Sequence, residues 1–233
     1  MTTLSPLIRL LLLLALTALA ACGGGHDGAR IAPTGTISGD TVRVRALAAG
    51  PVAPFTANGW YWNPQEGGTG FMVEAQGGRA FVGFFMYEEG SGNPVWYAAF
   101  GDLTDGAAAG DHHFSGDLRI YQGGMALSSR SWIQPTSRSL GTVSIDFVAG
   151  RARVDFPGGR VMQAERFCAG GPCTLDPSAG PRLRAETGWY WNPTEGGRGV
   201  AIETHGAHSF IGMFHYNPDG SPVWHIVSAT GDS

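Results

Sequence analysis

Carboxylates set among aromatic residues are the feature of this sequence best suited to chemistry. Glu66 and Glu74 follow one Trp-Tyr-Trp-Asn-Pro segment, and Glu195 and Glu203 follow a second at the same intervals. Two carboxylates roughly 5 to 10 Å apart can hydrolyse a glycosidic bond, so Glu66 and Glu74 are a candidate pair. However, Glu66 and Glu195 lie between Asn-Pro and Gly-Gly, where a carboxylate can tie down the amides of a tight turn. We therefore expect these two to brace loops rather than catalyse.

An aromatic wall with one carboxylate is predicted when residues are paired across the hairpins. Such a wall could bind a small apolar or sugar-like ligand, with Glu74 or Glu203 as the polar anchor. The favoured alternative is a barrel core in which the Glu accepts hydrogen bonds, because small barrels fill their own interiors. The candidate ligand-binding residues are Trp60, Trp62, Glu74, Phe81, Phe85, Tyr87, Trp96, Trp189, Trp191, Glu203, Phe210, Phe214, Tyr216 and Trp224.

Histidines and cysteines give little support for a metal centre. Four histidines crowd residues 205–225, but the aligned positions of the first segment carry Gln, Arg, Met and Tyr. Cys168 and Cys173 form an even pair, which in an exported protein is most simply a disulfide; half of a zinc site is the alternative. We expect no metal, no cofactor and no catalytic residue.

An internal repeat contains most of these residues. The segment 59–70, GWYWNPQEGGTG, returns at 188–199 as GWYWNPTEGGRG, and identities continue through Tyr87/Tyr216 to Trp96/Trp224. The repeat resembles a group of exported proteobacterial proteins whose units open with a Trp-Trp-Asn-Pro-x-Glu-x-Gly-x-Gly-like stretch. Here a Tyr separates the two tryptophans and Gly-Gly follows each Glu. That group has no established activity, so the resemblance implies an architecture and no reaction.

The N-terminal segment has the features of an export signal. A weakly basic start precedes the apolar run Leu10–Ala21, which is too short to span a bilayer. The run ends in Leu19-Ala20-Ala21-Cys22, which resembles the lipobox of bacterial lipoproteins. This resemblance implies that Cys22 is acylated, and Gly23 after it points to an outer-membrane lipid anchor on either face. An ordinary secretory signal with a chance cysteine is the alternative.

Composition excludes several classes of protein. The 15 Lys and Arg against 19 Asp and Glu include no basic run, which disfavours nucleic-acid binding. The 37 glycines lack a three-residue period and aromatic residues make up 11%, which excludes collagen and low-complexity disorder.

Alternating patterns between turn residues predict an all-β chain, with no sustained helical period after the signal. The predicted strands are 59–62, 70–76, 79–87, 94–102, 112–121, 126–133, 140–148, 151–156, 160–167, 188–191, 199–205, 208–216 and 222–229. We predict an antiparallel meander closing into an up-and-down barrel, like avidin or a lipocalin in general shape, plus a partial second unit. The predicted organisation is signal peptide 1–22, flexible tether 23–55, first β unit 56–175, linker 176–187 and partial second β unit 188–233.

The sequence thus favours a lipid-anchored cell-envelope protein that acts as a non-catalytic binding or interaction module. We expect it to meet the membrane through its lipid, and a protein partner or a second copy through the terminal meander. Two alternatives remain open: a glycan hydrolase using Glu66 or Glu74, and a carrier of small apolar ligands with an open barrel lumen.

Overall fold

The computed structural model describes residues 58–168, 187–205 and 207–230. Within them the chain is all-β, and they include no helix long and apolar enough to cross a membrane. The strands are β1 (Gly59–Trp62), β2 (Gly70–Gln76), β3 (Arg79–Tyr87), β4 (Pro94–Asp105), β5 (His112–Gln122), β6 (Thr136–Val148), β7 (Arg151–Asp155), β8 (Val161–Arg166), β9 (Gly188–Trp191), β10 (Gly199–His205), β11 (His208–Tyr216) and β12 (Pro222–Thr230).

Strands β1 to β8 form a closed antiparallel barrel, in which each strand pairs with the next and β1 pairs with β8. The predicted up-and-down barrel is therefore confirmed. Its interior is filled by apolar side chains that are almost wholly inaccessible to solvent. They include Tyr61, Phe71, Val73, Val82, Phe84, Phe114, Ile145, Val154 and Met162.

The hairpin between β2 and β3 has the predicted register. Gly77 and Gly78 have positive φ angles of 58° and 79°, the conformation that a two-residue turn requires and that glycine adopts without strain. The turn pairs Gln76 with Arg79 and therefore Glu74 with Phe81. Since alternate residues share a face, Glu74, Phe81 and Phe85 lie on the same side of the sheet.

Strands β9 to β12 form a separate sheet in the order β12-β11-β10-β9. Its pairing repeats that of β1 to β4, with Glu203 opposite Phe210 and Phe214 opposite Trp224. We call β1–β4 copy one and β9–β12 copy two. Copy one is thus half of a closed barrel, whereas copy two is an open four-stranded sheet.

The predicted strand at 126–133 is wrong, because these residues belong to the β5–β6 loop. Met125 and Ala126 in this loop are buried, and Ala126 forms an isolated parallel bridge with Tyr216 of copy two. The Met125 amide donates to the Gly196 carbonyl, at 3.2 Å. Met125 and Ala126 therefore pack against copy two, whereas Leu127, Trp132 and Ile133 of the same loop are exposed. In addition, β4 continues to Asp105, and β6 begins at Thr136 instead of 140.

Several predictions lie outside the described residues. They concern the signal peptide, Cys22, the tether 23–55, Cys173 and most of the linker 176–187. Lipidation and the disulfide remain predictions, although Cys168 itself is described and is half-buried just after β8.

Candidate functional site

The aromatic wall lies on the outside of the barrel, not in its lumen. Trp60, Phe85 and Trp96 point outward and are buried against Tyr216 and Trp224 of copy two. The reason is the strand period, because only one face of β1–β4 can point inward and the Phe71/Phe84 face occupies the lumen. We call the whole group the interface cluster: Trp60, Met72, Phe81, Phe85, Trp96, Ala98, Tyr121, Phe167, Trp189, Ala201, Phe210, Phe214, Tyr216 and Trp224.

The two carboxylates of the wall cross this interface reciprocally. Glu74 of copy one accepts a hydrogen bond from the Trp189 backbone amide of copy two, at 2.8 Å. Glu203 of copy two accepts one from the Trp60 amide of copy one, at 2.7 Å. Glu74 and Glu203 are equivalent in the repeat, as are Trp60 and Trp189. Each carboxylate therefore holds the first strand of the opposite copy.

Two tryptophan indole groups form a second reciprocal pair of hydrogen bonds between the copies. The Trp96 Nε1 donates to the His215 carbonyl at 3.0 Å, and the Trp224 Nε1 donates to the Met86 carbonyl at 2.9 Å. Trp96 and Trp224 are equivalent, and Met86 aligns with His215. Because these bonds use backbone carbonyls as acceptors, they tolerate the change from Met to His.

Glycine at two equivalent positions lets the copies approach closely. A Cβ atom on Gly83 would lie 2.3 Å from the Trp189 ring, and one on Gly212 would lie 2.5 Å from the Trp60 ring. Any larger residue at either position would collide with the facing tryptophan. Together with the hydrogen bonds, these contacts relate the copies by an approximate two-fold axis, as in an isologous dimer interface.

The two carboxylates nevertheless differ in their surroundings. Glu203 is 2% exposed and accepts hydrogen bonds from both terminal nitrogens of Arg166, at 2.9 and 2.5 Å, and contacts the His205 Nε2. Glu74 is half-buried and accepts a hydrogen bond from the Gln76 Nε2 at 2.9 Å. A buried carboxylate needs a counter-charge. Arg166 supplies one to Glu203, and among the described residues Glu74 has no such partner.

A potential metal-ligand group surrounds Glu203. Single ligand atoms of Cys168, Glu203 and His205 lie within 4.8 Å of one another. Both oxygens of Glu203 already accept hydrogen bonds from Arg166, whose positive charge neutralises the carboxylate. The geometry therefore favours an ion pair that joins β8 to copy two.

Each of the two carboxylates in the turns, Glu66 and Glu195, is bound by an arginine. Glu66 accepts a hydrogen bond from the Asn63 Nδ2 at 3.0 Å and from Arg160 at 2.5 Å. Glu195 accepts one from the Arg198 Nε at 2.6 Å, and this bond lowers the pKa of Glu195. Arg198 also donates to the Ala126 carbonyl at 2.8 Å, so the turn of copy two is linked to the β5–β6 loop.

Three of the predicted site residues lie at the rim. Tyr87 is 43% exposed and packs against Trp224, with ring centroids 5.3 Å apart. Trp62 is half-buried beside Phe167, whereas its equivalent Trp191 is 37% exposed. The structure thus brings together eleven of the fourteen predicted residues and leaves Tyr87, Trp62 and Trp191 at the edge.

Beside the interface cluster is an open cleft of about 100 Å³. It is lined by Trp60, Tyr61, Trp62, Gly68, Thr69, Gly70, Phe85, Phe167, Phe210 and Ile226. The two-fold relation pairs it with a smaller gap of about 10 Å³ beside Trp189, Phe214, Phe81 and Ala98, the equivalents of Trp60, Phe85, Phe210 and Ile226.

Sequence reasoning missed Arg166, Phe167 and Ile226. Arg166 and Phe167 lie outside the repeat, so comparing the copies gives no signal for them. Ile226 aligns with Ala98, and this difference in size between the copies was visible in the sequence.

Comparison of this chain with known protein families, with curated proteins and with solved structures gives no match.

Proposed function

We propose that this protein is a lipid-anchored module of the cell envelope that acts without catalysis, by associating with a second copy of itself through copy two. The supporting observation is that copy two repeats the strand pairing of half the barrel but stands as an open sheet. In the described part of the chain, the β12 edge from residue 225 is exposed and the outer face of copy two is partly exposed, and we assign the association to these surfaces.

The hydrogen bonds of the carboxylates favour a binding role over hydrolysis. Glu74 and Glu203 hold backbone amides across the interface, and Glu66 is bound by Asn63 and Arg160. A general acid or nucleophile must be able to reach its substrate. Glu203, at 2% exposure, lies beneath the contact between the two copies.

The β12 edge has the properties of a pairing strand. Its counterpart β4 pairs with β5 from Tyr97 to Asp105, whereas β12 pairs only with β11 among the described residues. The segment 225–230, HIVSAT, carries no Lys, Asp, Glu or Pro, the residues that usually protect an edge from further pairing. Ile226 and Val227 on it are 42% and 44% exposed.

The outer face of copy two is apolar. Val200, Ile202, Ile211 and Met213 are all partly exposed. Their equivalents in copy one, Phe71, Val73, Val82 and Phe84, are 0% exposed inside the barrel. A surface that one copy buries completely and the other leaves partly open is typical of an interaction site.

A second copy is the occupant that this edge fits best. Two β12 strands running antiparallel are related by a two-fold axis, so the same residues serve both partners. The pairing would join two four-stranded sheets and cover the unpaired edge of each. No charged side chain on the edge segment opposes its own copy.

The test is the oligomeric state of the chain from Gly23 onward, measured by light scattering after size exclusion. We expect a dimer that Val227→Lys converts to a monomer, because a lysine on each edge places like charges opposite each other. Val148→Lys, at an exposed position of β6, is the matched control and should remain dimeric. A wild-type monomer at micromolar concentration would reject self-association.

The lipid anchor needs a separate experiment. Cys22→Ser should release the protein from the membrane fraction into the soluble envelope fraction, since acylation requires the thiol. If this variant is as tightly membrane-bound as the wild type, the anchor is wrong, whatever the oligomeric state.

A further inference from the structure

We propose that the cleft beside Trp60, which we call the Trp60 cleft, binds a small uncharged ligand with one aromatic ring or short aliphatic group and one hydrogen-bond acceptor. This inference concerns a small molecule rather than a protein partner, and the two proposed sites share Ile226 of β12.

The size and lining of the Trp60 cleft select the apolar part of such a ligand. Its volume is about 100 Å³, and its walls are mainly aromatic. An apolar cavity of roughly 150 Å³ holds one benzene molecule, so a single ring projecting from an open mouth fits here. None of the described residues that line the cleft is charged, which disfavours an ionic ligand because its desolvation would be uncompensated.

The indole group of Trp60 selects a ligand that carries a hydrogen-bond acceptor. Trp60 is 3% exposed, and its buried Nε1 has no hydrogen-bond partner in the part of the chain that the structure describes. A buried donor without an acceptor is costly, so we infer that a ligand oxygen seated against Trp60 would satisfy it. Of the described lining residues, only Thr69 and Tyr61 carry a side-chain hydroxyl, so a sugar would leave most of its hydroxyls unpaired.

The difference between the two copies shows that the fold does not require this space. The buried Nε1 of Trp189 likewise has no partner within residues 58–168, 187–205 and 207–230, but the gap beside it is only about 10 Å³. The walls of the Trp60 cleft include Phe167, from the chain after β8, and this residue has no equivalent in the repeat. The free volume is therefore specific to the Trp60 side, and Trp189 serves as an internal reference.

The mouth of the cleft suits exchange with solvent. Trp62 is half-buried, and Ile226 on β12 is 42% exposed. The turn before β2 supplies Gly68, Thr69 and Gly70 to the wall. Copy one and copy two thus each contribute to the opening.

The test uses nuclear magnetic resonance of indole N–H groups in the chain from Gly23 onward, with three named probes. Acetophenone carries a ring and a carbonyl, ethylbenzene has a similar shape without an acceptor, and benzoate is charged. We expect acetophenone to shift the Trp60 N–H signal saturably and to bind at least tenfold more tightly than the other two. The Trp189 signal should stay unchanged.

Two variants locate the binding. Ile226→Phe fills the mouth and should abolish the shift, and because Ile226 is partly exposed the fold should tolerate the larger side chain. Trp62→Ala should weaken binding at least fivefold, whereas Trp191→Ala, its equivalent in copy two, should leave it unchanged. Overturning results would be a Trp60 signal unmoved by acetophenone, equal binding of acetophenone and ethylbenzene, or full binding by both Ile226→Phe and Trp62→Ala.

Discussion

Copy one and copy two share one face and differ in the other. On the shared face, Trp60 and Glu74 meet Glu203 and Trp189, so residues identical in the two copies contact one another. On the opposite face, copy one packs inside a barrel while copy two remains open. Identity within this repeat therefore marks mutual contact between the copies, rather than a ligand pocket used twice.

The surroundings of the two carboxylates show how the symmetry is broken. Arg166, which lies outside the repeat, pairs with Glu203, whereas no arginine in the described ranges pairs with Glu74. Glu203 is correspondingly the more deeply buried carboxylate. The barrel thus contributes one charged contact that the repeat alone does not contain.

The largest expected effect comes from removing this counter-charge. Arg166→Leu should lower the free energy of unfolding by about 3 to 5 kcal/mol, because it leaves a buried carboxylate unpaired. Arg160→Leu removes a more exposed ion pair with Glu66 and should cost less than about 1 kcal/mol. Urea denaturation measures both, and equal losses would contradict the assigned difference.

A smaller effect should follow from adding a methyl group at the close contacts. Gly83→Ala and Gly212→Ala should each cost about 1 to 3 kcal/mol, because the facing tryptophan must move. Gly67→Ala, with open space around its Cβ, is the control and should be nearly neutral. Thermal unfolding would argue against the two-fold relation if only one of the two variants were destabilised.

Neutralising the half-buried carboxylate should have a still smaller effect. Glu74→Gln keeps an acceptor for the Trp189 amide and removes only the charge, so we expect a loss of about 1 kcal/mol. Glu203→Gln should cost more, since it also leaves Arg166 without its anion. Urea midpoints in the reverse order would show that the two environments are not those described.

The smallest effect concerns pH. Burial lowers the pKa of His215 from its usual 6.5, so the unfolded chain takes up a proton at higher pH than the folded protein. Stability should therefore fall as the pH drops below about 6.5. His215→Met, which installs the residue of copy one, should make this fall shallower in unfolding measured from pH 7.5 to 5. A replacement at the exposed His225, His225→Tyr, should change the slope less.

The sequence was sufficient to predict the twelve described strands, although it also indicated a thirteenth at 126–133 that is absent there. It also predicted the hairpin register and which residues share a face. The pairing of Glu74 with Phe81 follows from the Gly-Gly turn and the period of a strand. The sequence did not reveal which face enters the barrel, because both faces of β3 are apolar. Gly83 and Gly212 were the overlooked signal, since a glycine on each aromatic face leaves room for a facing ring.

Other features could not be predicted because they depend on distant parts of the chain. The buried residues Met125 and Ala126 of the β5–β6 loop have the apolar character of a strand, and only their contact with copy two explains it. In the sequence, nothing distinguishes Arg166 from the other arginines. Its partner becomes apparent only when the barrel closes and places β8 beside copy two.

The reciprocal contacts also determine the order in which the chain can fold. The Trp60 amide and Glu203 are 143 residues apart, and Trp224 and Met86 are 138 apart. The barrel strands are complete at Arg166, whereas copy two ends its last strand at Thr230. During synthesis, no described segment covers the outer aromatic face of the barrel until β9–β12 emerge. In that interval the face can meet the same face on another nascent chain, so association between chains competes with the final docking step of folding.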